Sequence, residues 1–478
     1  MSVISSRLPS PVTSISTWAT ALLLLGTLVL TFAVHYRGDH LLVSACVLLC
    51  IIVTAVATVR ILLSPRVTRS VLLRWSPAAA GRLLAQLSPV IFLSAAYPLA
   101  AGRLSAVAVG GLPFPRLLLA TSVTAPWLSQ IVCMPLFTAL SPHAAGRDPQ
   151  QLRVRALEAW PCSFAAAIPA LAVMAVPVWL TEHWRLSAIL VYATLCLLNA
   201  VFAQSLVYSV VSRHNLLWLA GWGAYAAALL VIPRVWFAPP LAGLWVQIAY
   251  LVWHTRYSPL HVLRPHRIFA DLGKGALLGC LLWSDKYLYF LRFPHDFRAG
   301  VLFGAMVPAI VAYNFYFALL APRTDGLVES VRRAMTEAPI PRLRQECSSL
   351  SSHIRGSAAQ AALLCALLSL LVVSALTLVI PADSLAAGAE MLACWCFVMG
   401  ALACYKLAYL GHGRLAYGYG ALHLALAAAA FTLSPSGPDV YLALAAVELL
   451  LVTLVLQVCL RDWDQPEFML FWRHATQW

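Results

Sequence analysis

Apolar stretches about twenty residues long recur from one end of this chain to the other, each long enough to cross about 30 Å of hydrocarbon at about 1.5 Å per helical residue. They fall near 17–35, 41–63, 84–101, 117–140, 161–181, 187–210, 216–233, 236–253, 275–292, 301–322, 356–380, 384–408, 414–434 and 440–460. The pattern predicts an all-α polytopic membrane protein with about fourteen transmembrane helices. Composition excludes a soluble fold: 10% of the 478 residues are charged and 62% are hydrophobic, where soluble chains carry about a quarter charged residues. The first run follows Arg7 and lacks a small-x-small cleavage site, so it reads as a retained helix.

The chain carries 32 Lys and Arg against 18 Asp and Glu, a net charge of +14, and the basic residues alternate between connections. Arg66, Arg69, Arg74 and Arg82 form one group, and Arg147, Arg153 and Arg155 the next. Arg256, Arg264, Arg267 and Lys274 follow, then Arg323 through Arg355. Lys and Arg are retained on the cytoplasmic side of short loops, which predicts both termini in the cytoplasm. The intervening connections, such as that holding Glu182 and Arg185, are short and near-neutral. A basic inner face suits anionic lipids. Charges dispersed over many loops, with no basic arm or aromatic-interleaved patch, do not predict nucleic-acid binding.

The cysteines sit almost wholly in apolar segments, as at Cys46, Cys50, Cys133, Cys196 and Cys404, and read as small apolar residues. Cys394 and Cys396 would diverge by about 200° on a helix, so they predict no metal site. No G-x-x-x-x-G-K-[ST], H-E-x-x-H or G-x-S-x-G occurs, and neither a metal nor another cofactor is expected.

No connection is long enough for a soluble domain. The organisation expected is an N-terminal region 1–83 with two additional spans and a basic loop, a six-helix lobe 84–253, a basic cytoplasmic linker 254–274, a second six-helix lobe 275–460 and a cytoplasmic tail 461–478. Six spans on each side of a linker are the division of a two-lobed transporter. Within the second lobe, 323–355 places Leu327, Val328, Val331 and Met335 at helical spacing before Pro339 and Pro341. An amphipathic helix on the inner leaflet is expected there, with a solvated helical hairpin as the alternative. Arg323, Arg332, Arg333, Arg342 and Arg344 are its candidate contacts to lipid or a partner.

A charge at the bilayer centre is costly unless it meets a cavity or a partner, so ionisable groups within spans are the candidate functional residues. Trp283-Ser284-Asp285-Lys286-Tyr287 is the sharpest case, with Asp285 ten residues beyond Gly275 and so about 15 Å deep. Neighbours on a helix diverge by about 100°, so Asp285 and Lys286 are expected on different faces, one lining a cavity as a substrate or coupling-cation site at a lobe interface and the other pairing with a neighbouring helix or snorkelling outward. A structural ion pair between helices is the alternative. Glu448, with Lys406 as a possible partner, is a second candidate. Asn199, Gln204, Gln130 and Asn314 are weaker ones, since amides commonly tie helices together. Pro126, Pro169, Pro177 and Pro308 fall within spans, where proline can kink a helix.

Four passages resemble the PelG-like exopolysaccharide transporters of the Pel system, within the multidrug/oligosaccharidyl-lipid/polysaccharide (MOP) flippase superfamily. They are Tyr192 to Ser212 leading into Arg213, Leu241 to Tyr257, the W-x-D-K of Trp283, Asp285 and Lys286, and Val307-Pro308 running through Tyr313 into the charged inner helix. The resemblance spans about residues 84–460. It departs in the two added N-terminal spans and at Ala318-Leu319, where the family pattern has Glu-Thr.

That resemblance implies two six-helix lobes of MOP-flippase type around a cavity alternately open to each side. It implies an exporter rather than an enzyme, moving an exopolysaccharide or lipid-linked glycan outward across the cytoplasmic (inner) membrane. A cytoplasmic glycosyltransferase and other membrane subunits are the partners implied. Two other classes stay open on the residues alone: a multispan enzyme of lipid-linked sugar metabolism, a glycosyltransferase or acyltransferase, and a non-transporting scaffold of a polysaccharide synthase. The outer loops hold Asp39, Glu182, Asp296 and Asp383 singly, without the paired groups that acid–base chemistry needs.

Overall fold

The computed structural model describes residues 77–144, 149–253, 265–379 and 384–475. The spans expected at 17–35 and 41–63 lie outside the described residues, as does 254–264 of the linker. In chain order, α1 (Pro77–Ser105) leads through a short ribbon, β1 (Ala108–Val109) and β2 (Leu112–Pro113), to α2 (Phe114–Ala144), α3 (Pro149–Glu182), α4 (Leu186–Val211), α5 (Asn215–Val231), α6 (Ala238–Trp253) and α7 (Pro265–Arg292). Then come α8 (Ala299–Phe315), a single π-helical turn (Tyr316–Leu320), α9 (Ala321–Glu337), α10 (Ile340–Val379), α11 (Ser384–Tyr409), α12 (Gly413–Leu433), α13 (Gly437–Asp462) and α14 (Pro466–Ala475).

The runs expected from 84 to 460 each correspond to one helical stretch. Among the described residues nine stretches are long and apolar enough to cross a membrane, and α5 and α6 are shorter apolar helices. The chain is an all-α, multi-pass membrane protein. The 28-residue α7 falls outside the nine because Asp285 and Lys286 interrupt its apolar run. Pro161, Pro169 and Pro177 lie within α3 and Pro308 within α8, so none of these prolines ends its helix.

Three connections differ from expectation. The linker's second half, Pro265 to Lys274, is the first part of α7: proline suits the opening turn of a helix, and Lys274 pairs with Asp271 one turn before it (2.7 Å). The 323–355 segment is not a separate surface helix. Its first part is α9, which continues from α8 through the π turn, and its second part is the start of α10. Val328, Val331 and Ala334 of α9 are buried against α10, and Ser330 donates to Glu346 across that hairpin (3.1 Å). The apolar stripe expected to meet lipid is therefore covered by protein. Ala338, extended before Pro339, marks the break between the two helices, as a residue preceding proline favours. Finally, the expected tail contains α14, which packs on α9 and α10.

The helices form two compact units, and their grouping does not follow chain order. One unit holds α1–α7 with α12, and the other holds α8–α11, α13 and α14. In the first, α7 is drawn against α2 and α12 by missing side chains. A Cβ on Gly275 would lie 2.5 Å from the Gln130 carbonyl oxygen of α2, and one on Gly279 would lie 2.7 Å from the Gln130 Cβ. On α12 a Cβ at Gly420 would lie 2.1 Å from the Leu277 carbonyl oxygen. Small residues let membrane helices approach this closely, and the return is van der Waals contact along the backbones. Trp127 Nε1 donates to the Ala276 carbonyl (3.0 Å) at the same seam. Elsewhere in the unit Phe202, Leu206 and Tyr225 form a core with Leu93, Trp218, Trp222 and Leu244.

In the second unit α11 and α13 lie side by side in the same direction. Cys396 meets the Ala445 carbonyl (3.9 Å), and Lys406 lies near Cys459. Ala305, Ala387 and Met391 form a core with Val301, Val372, Val373 and Leu376.

Gly420→Val should lower the thermal stability of the purified protein by about 1–3 kcal/mol or prevent folding, since the added carbons meet backbone that cannot yield. Gly418→Val, on the same helix with open space around it, should leave the melting temperature and the monodisperse detergent profile unchanged. Equal loss in both variants would count against the α7–α12 seam.

Candidate functional site

The sequence around Asp285 folds as helix through its polar stretch, where Ser284, Lys286 and Tyr287 each donate a hydrogen bond. Ser284 donates to the Cys280 carbonyl on its own helix (2.7 Å) and lies 3.4 Å from His423 Nε2 on α12. Tyr287 donates to the Met174 carbonyl of α3 (2.6 Å), and its ring meets that of Trp127 edge-on at 5.8 Å. Nearby, Thr124 and Tyr192 share a hydrogen bond of 2.7 Å. These contacts anchor α7 to α2, α3 and α12 at one level.

Asp285 and Lys286 are each 1% exposed, and Lys286 Nζ donates to Asp285 Oδ2 at 2.5 Å. This corrects the expectation that adjacent residues on a helix turn to separate tasks. Their Cβ atoms do diverge, and Lys286 follows Gly275 and Gly279 by eleven and seven residues, which puts it on the α2 side. The four-carbon stem of lysine is long and flexible enough to bring its ammonium back round the helix. The product is a buried ion pair between neighbours on one helix. Trp283, beside it, is half-buried.

The other expected candidates separate into cross-links and isolated groups. Gln204 donates to the Val132 and Ser163 carbonyls (3.1 and 2.9 Å) and accepts from Trp160 Nε1 (3.1 Å), so its amide ties α4 to α2 and α3. Asn199 donates to Leu195 of its own helix and accepts from Tyr225 (3.3 Å). Asn314 donates to Ile310 (2.9 Å), and the Tyr313 ring lies 4.6 Å from that of Phe317 at a 49° tilt. Glu448 is fully buried on α13, next to Cys396. Lys406 does not pair with it. Cys396 and Ala445 mark the level of Glu448, and Lys406 lies ten residues beyond Cys396, about 15 Å further along. Arg323, Arg332, Arg333, Arg342 and Arg344 are exposed.

Four buried polar residues escaped the sequence reading. Glu390 sits in α11 and is 1% exposed; as the lone carboxylate of an apolar run it carried a legible signal. Gln247, buried on α6, accepts from Ser209 (2.8 Å) and donates to the Leu217 carbonyl (2.7 Å). His423 on α12 and His353 on α10 are also buried, and no motif marks them.

Solved structures supply the comparison for this arrangement. A crystal structure of MATE in complex with MaL6 is similar over 81% of this chain and 96% of that one, with a TM-score of 0.50 at 10% identity. The chain folds like a MATE transporter. An outward-facing conformation of a multidrug resistance MATE family transporter of the MOP superfamily also matches, at 9% identity over 81% of this chain and 96% of that one, with a TM-score of 0.43. No protein-family model and no curated protein matches the sequence. With a MATE-like architecture, α7 is a core helix of a membrane bundle, and the pair it buries has been taken out of water at considerable expense.

Removing one partner of such a pair leaves the other charge stranded. Asp285→Asn should destabilise the purified protein by about 3–5 kcal/mol, whereas Asp285→Leu combined with Lys286→Leu should recover most of that loss. Thermal melts in detergent measure both. A double variant no more stable than the single one would show that the two charges are not each other's main support.

Proposed function

We propose that this chain is a membrane transporter that moves a glycan, as an exopolysaccharide or a lipid-linked sugar, outward across the cytoplasmic membrane by alternating access. The observation that carries the reading is the buried Asp285–Lys286 pair on a core helix of a MATE-like fold. Ionisable residues inside a membrane bundle mark substrate or ion pathways, because a bundle that only had to hold together would be served by apolar packing. In this reading the pair is a reservoir of charge that opens toward the cargo when the helices around α7 rearrange.

The glycan cargo follows the W-x-D-K stretch and the other passages that resemble PelG-like exporters. A polymer exported as it is made needs a supplier at the inner face, so a cytoplasmic glycosyltransferase and further membrane subunits are the proposed partners. The exposed Arg323, Arg332, Arg333, Arg342 and Arg344 form a basic docking face for such a partner or for anionic lipid headgroups.

Proteoliposomes holding the purified chain should carry a fluorescent lipid-linked oligosaccharide across the bilayer, read by loss of accessibility to an external lectin. The Asp285→Leu, Lys286→Leu double variant, selected for its folding, should slow this by about tenfold or more. An unchanged rate would remove the pair from the mechanism. Movement of organic cations without glycan would overturn the cargo assignment, and movement of neither would overturn the transporter reading.

A further inference from the structure

Of the 32 Lys and Arg in this chain only three are lysine, at 274, 286 and 406. Lys274 lies near the start of α7 in its pair with Asp271. Lys286 and Lys406 are buried, and among the described residues no arginine is. Where the described fold buries a Lys or Arg side chain, that side chain is lysine. The chemical difference is that arginine keeps its charge under all ordinary conditions, whereas the lysine amine can give up its proton.

The two buried lysines are held differently. Lys286 has the Asp285 carboxylate. Lys406, 2% exposed on the last turn of α11, donates to the Ile354 carbonyl (2.9 Å) and to Ser357 Oγ (3.0 Å) on α10. Its Nζ also lies 5.2 Å from the centroid of the Tyr316 ring in the π turn. His353 faces it from α10 and Cys459 from α13, and Tyr405 precedes it on α11. From α9, Asp325 approaches Tyr316 and Tyr405 while Arg323 approaches His353. Among the described residues no carboxylate forms an ion pair with Lys406.

The same cluster contains the irregular turn of the α8–α9 helix. The Ala321 N–H bonds to the Tyr316 carbonyl five residues back. The Leu320 carbonyl accepts from Thr324 Oγ1 (3.2 Å) and from His353 Nε2 (3.3 Å). A π turn is an α-helix with one residue inserted, and such turns recur at functional positions. Tyr316 within the turn and Ile354 and Ser357 on α10 are therefore tied to one another through a single ammonium.

We propose that Lys406 is a proton-binding site, taking up and releasing the proton that couples transport, with the π turn Tyr316–Leu320 as the element that responds. The inference rests on the transporter reading above. On release an N–H bond of the ammonium breaks, the electron pair stays on nitrogen and the proton passes to water. The neutral amine keeps fewer donors for Ile354 and Ser357 and loses its attraction to the Tyr316 ring, so α10 and the π turn are freed from each other. Uptake reverses each step.

With so few lysines, the chain labelled with 15Nζ-lysine in lipid bilayers gives three side-chain signals, assigned with Lys274→Gln and Lys406→Arg. The Lys406 signal should pass from ammonium to amine as the pH is raised through the range over which transport responds to a pH gradient. A Lys406 signal that keeps one position through that range overturns the proton site, and because it is read on the wild-type chain no folding defect enters. In proteoliposomes an imposed pH gradient should accelerate wild-type transport about tenfold per pH unit, and Lys406→Arg transport by less than about twofold. Equal acceleration in both overturns the coupling. A titrating Lys406 in a chain that moves no cargo would leave the proton site standing and remove the transporter reading.

Discussion

A charge buried in a membrane bundle must be neutralised or surrounded by groups that replace water, and both solutions occur in this molecule. At Asp285 and Lys286 the charge is cancelled within a single turn of α7, at 2.5 Å. At Lys406 it is met by a carbonyl, a hydroxyl and an aromatic face. The first arrangement brings two opposite charges together on one helix. The second depends on the π turn, α10 and α11 holding their positions together, which makes it sensitive to any movement among them.

Burial of the first pair depends in turn on close helix contact. Gly275 and Gly279 let α7 press on α2, and Gly420 lets α12 press on α7. Around that seam the polar groups are spent on carbonyls: Trp127 on Ala276, Tyr287 on Met174, Ser284 on Cys280. The same economy appears at Gln204 and Gln247, whose amides join neighbouring helices. In hydrocarbon, where apolar side chains gain nothing from leaving water, small residues and shared hydrogen bonds are what give helices their partners.

The second unit shows the same physics producing an irregularity. The 39-residue stretch Ala299–Glu337 passes from an apolar span to a charged amphipathic helix without a loop, and the π turn lies at the change. One face of α9 is buried on α10 and its arginines point outward. What looked like a helix for the membrane surface is half of a protein hairpin, because the apolar stripe found a protein partner first.

Much of this was legible along the chain. Apolar runs of bilayer length located the helices from 84 to 460, since hydrocarbon thickness and helical rise leave little choice. The scarcity of charge inside those runs singled out Asp285, Lys286, Lys406 and Glu448, because each is expensive where it stands. The pairing of these charges was not legible: Lys286 reaches Asp285 through a flexible stem that a helical wheel ignores, and Lys406 misses Glu448 because their levels on α11 and α13 differ. The grouping of α7 and α12 with the first six helices was equally hidden, as were His353 and His423. By itself the sequence determined where the chain enters hydrocarbon, through local length and polarity; only the tertiary structure decided which helices meet and which buried charges find partners, because those depend on contacts between residues far apart in the chain.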